Sequence, residues 1–545
     1  MFRTLLALAT VCSAAAASVN SNGSGSGSGS GPLAAFRLRA GGANTHPATG
    51  TVGTQFAIPA LEPPTLTWAA EHAERGASQT AFRVTITDGA TGATAHDSGL
   101  KTTPEPFYEL PAPLPSGRGY EWSVTWFDAA GRASPPSEPA AFRTALADPE
   151  WDGVPWIGSN ATNVYRTEVS LDATVTGATL YICALGYGKV SVNGQPVTDE
   201  GLMTISGWTN NERMNLYETY DMTAHVQEAA RAHGGAMAIG VSLGHGWRDQ
   251  SKFPRKDPKE AAAGGDTVDK VFRAILQTTS QDGTTRTLTT TAAPTWTAAA
   301  GPVTADGTYD GETYDARKEM PGWDVAGYVA DTSAAWTPAP IVSDGPRGRM
   351  VASAMPPVAL DKIVKPIGIS NPQPGMFVVD YGTNVAGWSV IKNMKGKAGT
   401  RVVLKHAEVM QHEHLPGVQG FGKPVIKKMN SSMIYQGNLR TALATDTYIM
   451  KGDSAGESYH PSFTYHGCRY VEVTGLESLS MDDIEYHHFH SESSNSLSPP
   501  SASDRLTQAV AANSGERGEG ENVVQQPHRG GDPADGARSA EVEVK

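Results

Sequence analysis

The sequence contains little cysteine and little charge. Three cysteines occur in 545 residues, and Cys183 and Cys468 lie far apart in apolar, strand-like runs. They predict two buried free thiols rather than a disulfide framework, and neither has the spacing of a metal site. Charged residues make up 18% and the net charge is −13. The chain therefore lacks the basic surface of a nucleic-acid-binding protein, and we expect no nucleic-acid partner.

Long apolar runs and phosphate-binding motifs are also missing. After the N-terminus there is no apolar run of about 18 residues, so we expect no segment that spans a membrane. The sequence has neither GxxxxGK[ST] nor a strand-linked GxGxxG, which are the common nucleotide-binding signatures. Long amphipathic helices do not alternate with its strands, and this disfavours a doubly wound α/β sheet.

Residues 1–18 have the pattern of an export signal. Arg3 gives a positive start, residues 5–11 are apolar, and residues 14–18 are small, as a cleavage site requires. The alternative is a buried N-terminal helix. Residues 19–33 form a Gly/Ser-rich segment typical of a flexible linker. These features predict a secreted, extracellular protein.

Apolar residues with a period of two dominate the chain after this linker. Residues 34–146 include the alternating runs AFRVTITDG and YEWSVTWFD, which predict one small β-sandwich. Residues 147–340 and 350–478 are again rich in strand patterns separated by Gly-rich turns, such as Asn193-Gly194. Only residues 222–233 have a short helical pattern. We therefore predict an all-β fold of tandem β-sandwiches.

The C-terminal segment has a different composition. Residues 501–514 have the pattern of a helix start, with Ser503 as N-cap. From residue 515 to residue 545 the chain has no Leu, Ile, Met or aromatic residue. Such a segment buries too little apolar surface to offset its ordering entropy. We expect residues 479–545 to end in a disordered tail.

The densest polar and aromatic cluster is TYDGETYDARKEMPGWD, at residues 308–324. Carboxylates beside aromatic rings suit sugars, because ring faces stack on C–H surfaces while carboxylates accept hydroxyl hydrogen bonds. Paired carboxylates also serve as acid and base in glycoside hydrolysis. The alternative is structural, with Asp315 and Arg317 paired across a domain seam. The candidates for sugar contact or the seam are Asp310, Glu312, Asp315 and Arg317.

Three weaker clusters are also candidates for function. Asp199 and Glu200 follow the Asn193-Gly194 turn and either ligate calcium or form a solvated turn. The run SLGHGWRDQ places His245, Trp247, Arg248 and Asp249 after a strand, without a Ser or Cys nucleophile motif. The run EYHHFHSE contains His487, His488 and His490, which suggest a metal site but have no matching ligand set elsewhere in the sequence.

Several strings, read in order, resemble the bacterial-type α-L-rhamnosidases of glycoside hydrolase family 78. They cover about residues 80–480 and include LPSGRGYEWSVTWFDAAGRAS, GATLYICALGYGKVSVNGQPV, SLGHGW, YDGETYDARKEMPGWD, VVDYGTNVAGW and FTYHGCRYVEV. The resemblance implies a fibronectin-III-like domain at 34–146, an N-terminal jelly roll at 147–340 and a concanavalin-like sandwich at 350–478. These are the three units that periodicity predicts.

The same resemblance implies a function. The family removes terminal non-reducing α-L-rhamnose from glycosides by inverting hydrolysis, with its catalytic residues in a following (α/α)₆ barrel. Residues 479–545 match only the start of that barrel, so we assign no catalytic residue and require no cofactor. The family's jelly roll resembles a calcium-dependent rhamnose-binding module, whose Asp-Asn pair falls at Asp199 and Glu200. Glu200 replaces the family's asparagine.

Three hypotheses arise from these observations. In the first, the chain is the β-rich front portion of an α-L-rhamnosidase and is inactive alone. In the second, it is a secreted, non-catalytic protein that binds rhamnose or a related carbohydrate. In the third, a β-sandwich is itself a hydrolase that uses Asp310, Glu312 or Asp315.

Overall fold

The computed structural model describes residues 31–41, 43–44, 57–58, 63–197, 209–248, 270–282, 284–290, 296–330, 335–353, 358–411 and 430–491. These residues form 35 β-strands and one α-helix. The predicted all-β class is thereby confirmed. Within the same ranges, no helix is long and apolar enough to cross a bilayer. The predicted export signal, the main part of the linker and the predicted tail from residue 492 onward lie outside the described residues.

The first sandwich packs a four-stranded sheet, β2-β1-β4-β8, against a sheet ordered β3-β10-β9-β5-β6, with β7 also paired to β5. Alternation along β5 buries Phe82, Val84 and Ile86, and alternation along β9 buries Trp122 and Trp126, because successive side chains point to opposite faces. The strands are β1 Phe36–Ala40, β2 Ala43–Asn44, β3 Ala57–Ile58, β4 Thr65–Ala69, β5 Gln79–Asp88, β6 Thr94–Asp97, β7 Lys101–Thr102, β8 Phe107–Glu109, β9 Gly119–Asp128 and β10 Ala140–Thr144.

The second sandwich has one sheet ordered β24-β11-β18-β13-β16-β25 with β19 on β18, and one ordered β15-β14-β17-β12-β20-β23. Its strands are β11 Trp156–Gly158, β12 Val164–Ser170, β13 Val175–Leu185, β14 Tyr187–Val192, β15 Gln195–Pro196, β16 Met214–Asp221, β17 Ala236–Gly244, β18 Val271–Ser280, β19 Thr285–Thr289, β20 Thr297–Ala299, β23 Thr337–Pro338, β24 Ile341–Val342 and β25 Arg349–Ala352.

Local sequence explains two features of this sandwich. Asn193 and Gly194 both have positive φ, at 46° and 78°, as a tight primed hairpin turn between β14 and β15 requires. Helix α1, Thr223–Ala232, buries Val226 and Ala229 against the core. Both features were predicted from the sequence, and the helix agrees with the expected range within two residues.

The third sandwich is built on one ten-stranded sheet, whose main path is β21-β22-β32-β29-β34-β28-β35-β26, with β27 and β33 also paired to β28. The remaining two strands, β30 and β31, pair with each other. The strands are β21 Val303–Gly307, β22 Gly311–Asp315, β26 Val358–Val364, β27 Gly368–Gln373, β28 Met376–Met394, β29 Arg401–Ala407, β30 Val409–Met410, β31 Ile434–Tyr435, β32 Thr445–Ile449, β33 Glu457–Tyr459, β34 His466–Thr474 and β35 Ile484–Ser491.

The second and third sandwiches exchange strands. Although β21 and β22 fall inside the range expected for the second sandwich, β22 pairs in parallel with β32 of the third, Thr313 opposite Thr447. The chain then returns to the second sandwich with β23, β24 and β25 before β26 begins. The third sandwich also extends beyond the expected boundary at residue 478, because β35 pairs with β26 and β28. This strand falls in the range expected to start the barrel.

A buried aromatic cluster fills the seam between these two sandwiches. Tyr187 of the second sandwich lies with Trp388, Phe463 and Phe489 of the third. Gly244, at the end of β17, packs so closely there that an added Cβ would lie 2.3 Å from Cγ of Phe463. Fully burying a large apolar side chain contributes about 1.5–3 kcal/mol, so this cluster holds the two sandwiches together.

Candidate functional site

The candidate site is the hairpin β21–β22, where most of the sequence candidates lie. Gly311 opens β22 with φ at 102°, and an added Cβ would lie 2.1 Å from the carbonyl oxygen of Thr445. Only glycine fits so close to a neighbouring strand. The backbone carbonyl of Asp310 accepts a hydrogen bond from the N–H of Thr445 at 2.9 Å. The DG pair of the motif therefore joins this hairpin to β32.

Glu312 is buried, and its carboxylate joins β22 to the segment at residues 459–463. Only 1% of Glu312 is exposed, and its Oε2 accepts hydrogen bonds from the backbone N–H groups of Ser462 at 2.8 Å and Phe463 at 3.0 Å. The hydroxyl of Tyr459 donates to Oε1 at 3.2 Å. Burial raises the pKa of Glu312. Because a sugar in solution cannot reach this carboxyl, the geometry favours the domain-seam interpretation of Glu312.

Behind Glu312 lies a buried trio, His406, Asp446 and His466. Nε2 of His466 lies 3.1 Å from each carboxylate oxygen of Asp446, and Oδ1 of Asp446 also accepts the backbone N–H of Glu312 at 2.9 Å. Burial opposes ionisation of Asp446, but the charge and hydrogen bond of His466 outweigh it and lower the pKa of that carboxyl. Burial lowers the pKa of His406 to about 3, so this imidazole is neutral.

The ligand atoms of the trio are close enough to suggest a metal centre, since they all lie within 4.8 Å of one another. The ring geometry argues against one. The imidazoles of His406 and His466 stack with centroids 4.0 Å apart and planes 20° apart. A bound ion lies about 2.0–2.1 Å from each nitrogen, in the plane of each ring, and two nearly parallel stacked rings have no such common point. The trio is a hydrogen-bonded support for the sheet.

Asp315 and Arg317 form a local ion pair. Nε and Nη2 of Arg317 each donate to a carboxylate oxygen of Asp315 at 2.8 Å, and the backbone N–H of Arg317 donates to Oδ1 at 3.2 Å. These hydrogen bonds lower the pKa of Asp315 despite its burial. One of the alternatives placed this pair across a domain seam, but the structure places both residues in one turn, where Asp315 caps the 3₁₀ helix Ala316–Lys318.

Two separate sequence clusters meet at the open end of the seam. The backbone N–H of His245 donates to Oδ1 of Asp306 at 2.5 Å, and Nδ1 of His245 lies 3.0 Å from Oδ2 of Asp306. Beside them, Trp247 and Tyr309 pack edge to face with centroids 5.8 Å apart. Tyr309 is 37% exposed. An exposed ring beside a polar His–Asp pair suits contact with a sugar.

Other sequence candidates lie elsewhere. Asp199, Glu200 and Asp249 lie outside the described residues. Nη1 of Arg248 donates to Oδ1 of Asn211 at 3.1 Å. Nε2 of His487 lies 3.0 Å from Oε1 of Glu485, and this separates it from its neighbours, which both face Asp361: Nδ1 of His488 at 2.9 Å and Nε2 of His490 at 3.3 Å.

Sequence reasoning missed Asp306, Asp361 and the buried trio. His406, Asp446 and His466 stand alone in three strand patterns, so no local spacing marks them as partners. Asp306 precedes the polar and aromatic cluster at 308–324 by only two residues. Its role depends on a contact with His245, 61 residues away.

Three sequence families match the chain in order. Their descriptions are "Rha78A-like, N-terminal immunoglobulin domain" at residues 58–148, "Alpha-L-rhamnosidase N-terminal domain" at 173–362 and "Bacterial alpha-L-rhamnosidase concanavalin-like domain" at 370–490. These are the β-domains of the bacterial α-L-rhamnosidase family. The matched ranges overlap the three sandwiches in order, although the match at 173–362 also includes β21, β22 and part of β26 of the third sandwich. The predicted family resemblance is confirmed.

Curated α-L-rhamnosidases align with about two thirds of this chain. An α-L-rhamnosidase of Streptomyces avermitilis is 34% identical over 361 residues, which are 65% of this chain and 31% of that protein. One from Formosa agariphila is 28% identical over 408 residues, which are 68% of this chain and 39% of that protein. The chain therefore spans between 31% and 39% of these relatives' length.

Solved rhamnosidase structures have the same architecture. The α-L-rhamnosidase from Dictyoglumus thermophilum superposes with a TM-score of 0.69 at 26% identity, covering 84% of this chain and 49% of that one. The enzyme from Streptomyces avermitilis complexed with L-rhamnose superposes at 0.61 with 22% identity, covering 85% and 57%. This second likeness shows the fold alone.

Proposed function

We propose that this chain is the β-sandwich portion of an α-L-rhamnosidase and that its described residues do not hydrolyse glycosides by themselves. The whole enzyme removes terminal non-reducing α-L-rhamnose from rhamnose-containing glycosides by inversion. The observation that carries the proposal is that three carboxylates around the β21–β22 hairpin are already bound to other groups of the protein. Asp306 binds His245, Glu312 binds the backbone at Ser462 and Phe463, and Asp315 binds Arg317.

Inverting hydrolysis needs two carboxyl groups that face one substrate. One donates a proton to the leaving oxygen and the other activates a water about 6.5–9.5 Å away. Glu312 is too deeply buried to face a substrate, with 1% exposed. Asp315 is paired with Arg317 and its pKa is lowered, so it does not hold a proton for donation at neutral pH. These facts disfavour an autonomous sandwich hydrolase.

A second candidate function, non-catalytic carbohydrate binding, is favoured by the exposed ring of Tyr309. The ring stands at the open end of the seam beside Trp247, with the His245–Asp306 pair next to it. A rhamnosyl group presents C–H surfaces that stack on such a ring, and hydroxyls that bond to imidazole and carboxylate. The calcium-dependent form of this proposal uses Asp199 and Glu200, whose hard oxygens suit calcium.

The export signal predicted at residues 1–18 supports a further part of the proposal. A chain secreted by that route meets rhamnose-containing glycosides outside the cell rather than in the cytoplasm. Expression with and without residues 1–18, followed by assay of culture medium and cells, tests this part. Appearance of the shortened chain in the medium would contradict it.

Hydrolysis is tested with p-nitrophenyl α-L-rhamnoside and the purified full chain. We expect no release of p-nitrophenol above a buffer blank. Turnover that persists through purification and disappears in Glu312→Gln would overturn the proposal in favour of a sandwich hydrolase.

Binding is tested by calorimetry with L-rhamnose, with and without calcium. We expect Tyr309→Ala to weaken binding, whereas Phe107→Ala, which removes a similarly exposed ring from the first sandwich, leaves it unchanged. Loss of binding with a chelator and in Asp199→Ala would place the sugar at the calcium candidate instead. Absence of measurable binding under both conditions would exclude the binding function.

A further inference from the structure

Strand β26, at one end of the ten-stranded sheet path, contains a β-bulge at Asp361. Strands β26 and β35 pair antiparallel with Leu360 opposite Phe489 and Lys362 opposite His488, so two steps on β26 match one step on β35. The register shift leaves Asp361 as the extra residue. A bulge re-aims the side chain of the extra residue, and here the carboxylate of Asp361 lies between His488 and His490.

Each oxygen of this carboxylate faces one imidazole. Nδ1 of His488 lies 2.9 Å from Oδ2 of Asp361, and Nε2 of His490 lies 3.3 Å from Oδ1. The two histidines lie on the same face of β35, because side chains of a strand alternate. His487, which precedes His488, points to the other face and contacts Glu485. The structure therefore places Asp361, His488 and His490 together on two adjacent strands.

The second nitrogen of His490 determines what the first can do. Nδ1 of His490 lies 2.8 Å from the carbonyl oxygen of Ser491. A carbonyl only accepts, so Nδ1 carries the proton, and in the neutral ring Nε2 has a lone pair. That lone pair faces a carboxylate oxygen at 3.3 Å. Two acceptors at this separation repel unless a cation, either a proton or a metal ion, lies between them.

We propose that Asp361, His488 and His490 form a surface site for a divalent transition-metal ion such as Zn²⁺. Two imidazoles and one carboxylate are ligands that zinc, copper and nickel prefer, whereas calcium and magnesium prefer oxygens alone. The carbonyl of Ser491 orients His490 in the manner of an outer-shell partner.

The site is open where the buried trio is closed. The side chains are 22% exposed for His488, 37% for Asp361 and 48% for His490, so an ion and its remaining waters can enter. The ring centroids are 6.4 Å apart with planes 37° apart, so these two imidazoles are not stacked as those of the buried trio are. Lys362, next to Asp361, is the nearby positive charge that opposes binding.

Metal binding would link the edge strand β26 to β35, because Asp361 lies on β26 and the two histidines lie on β35. Strand β26 ends the ten-stranded sheet and has only β35 as a neighbour on the sheet path. An ion held by both strands stabilises the paired state over the open one, since it binds only where both contribute ligands. The edge of the sheet thereby becomes responsive to metal.

The experiment titrates Zn²⁺ into the chelator-treated full chain, purified without a histidine tag, by calorimetry. We expect saturable binding that weakens at least about tenfold in His490→Ala and in Asp361→Asn. Cu²⁺ bound to the same chain should show nitrogen hyperfine splitting in its electron paramagnetic resonance spectrum, reduced in His490→Ala. Because these variants change exposed side chains, their melting curves without metal should match the parent chain.

Two control variants test the location. His487→Ala, on the other face of β35, should leave the affinity unchanged. The double variant His412→Ala/His414→Ala, at positions outside the described residues, should also leave it unchanged. Binding that survives in His490→Ala and Asp361→Asn, that disappears in either control, or that is absent from the parent chain would overturn the proposal.

Discussion

The carboxylate of Asp446 accepts a hydrogen bond from the backbone N–H of Glu312 at 2.9 Å, across 134 residues of sequence. Through this contact the β21–β22 hairpin is fixed to the centre of the third sandwich. The carboxylate of Glu312 then reaches onward to the loop before β34. Glu312 is thus part of one internal scaffold that joins this hairpin to the third sandwich.

The first prediction concerns Glu312. Glu312→Ala leaves the N–H groups of the partly buried Ser462 and the buried Phe463 without their acceptor, and a buried unpaired group costs about 1–3 kcal/mol. We therefore expect a lower free energy of unfolding for the third sandwich, measured by denaturant titration. Glu312→Gln keeps an acceptor oxygen and should lose less. Asp97→Ala, at an exposed ion pair of the first sandwich, serves as the control. If Glu312→Ala has the same unfolding midpoint as this control, the stabilising role of Glu312 is refuted.

Gly244 supports a second prediction. In Gly244→Ala the new Cβ would lie 2.3 Å from Cγ of Phe463, so the ring must move and the seam must open. Overpacking of this kind costs about 1–3 kcal/mol, visible as a lower melting temperature. Gly467→Ala is the matched control, because its Cβ would meet nothing within 4 Å. Equal melting of the two variants would show that the seam does not contribute to stability.

A third prediction concerns acid. Burial lowers the pKa of His460 to about 4, against about 6.5 in an unfolded chain. The unfolded state therefore binds the extra proton first, and the stability that His460 contributes above about pH 6.5 is lost as pH falls towards about 4. Burial raises the pKa of Glu312 to about 8, so the contribution of Glu312 to stability changes with pH in the opposite direction. The pH dependence of the parent chain's stability therefore does not isolate the contribution of His460.

The measurement for His460 is accordingly a difference. Melting temperatures of the parent chain and of His460→Gln are compared from about pH 7 to about pH 4. We expect the variant to lose less stability on acidification than the parent. Parallel curves for the parent chain and His460→Gln would contradict the assignment.

The cysteines give a fourth prediction. Cys183 and Cys468 are free and buried, as the sequence predicts, and burial raises the pKa of both thiols to about 12. Since the thiolate is the reactive form, the folded chain should not react with a disulfide reagent at these positions. Cys12→Ser removes the remaining thiol. Rapid reaction of this variant before denaturation would contradict the burial of Cys183 and Cys468.

Sequence patterns were sufficient where structure depends on near neighbours. Alternation identified the buried face of β5, with Phe82, Val84 and Ile86, and the Asn193-Gly194 pair identified a hairpin turn. Both signals arise within a few residues, because strand alternation and turn backbone angles are local properties. The family resemblance then supplied the order of the domains.

Contacts between distant segments were not predictable in this way. The parallel pairing of β22 with β32 places Thr313 opposite Thr447, and the local sequence of neither strand identifies the strand with which it pairs. The contact between Asp446 and His466 was not predictable for the same reason, because the two residues lie on different strands. Asp361 escaped notice because its position depends on a register shift between two strands, and a pattern in one strand does not show such a shift. The polar residues of the candidate sites were therefore named more successfully than their partners.

The exchange of strands between the second and third sandwiches restricts how this chain can be rearranged. The hairpin β21–β22 belongs to the later sheet, while β23, β24 and β25, which come after it in the chain, complete the earlier sandwich. A recombination crossover placed between Asp315 and Thr337 would leave both parental folds incomplete on each side of the cut. In recombination or domain exchange, these two sandwiches must therefore be moved together as a single unit.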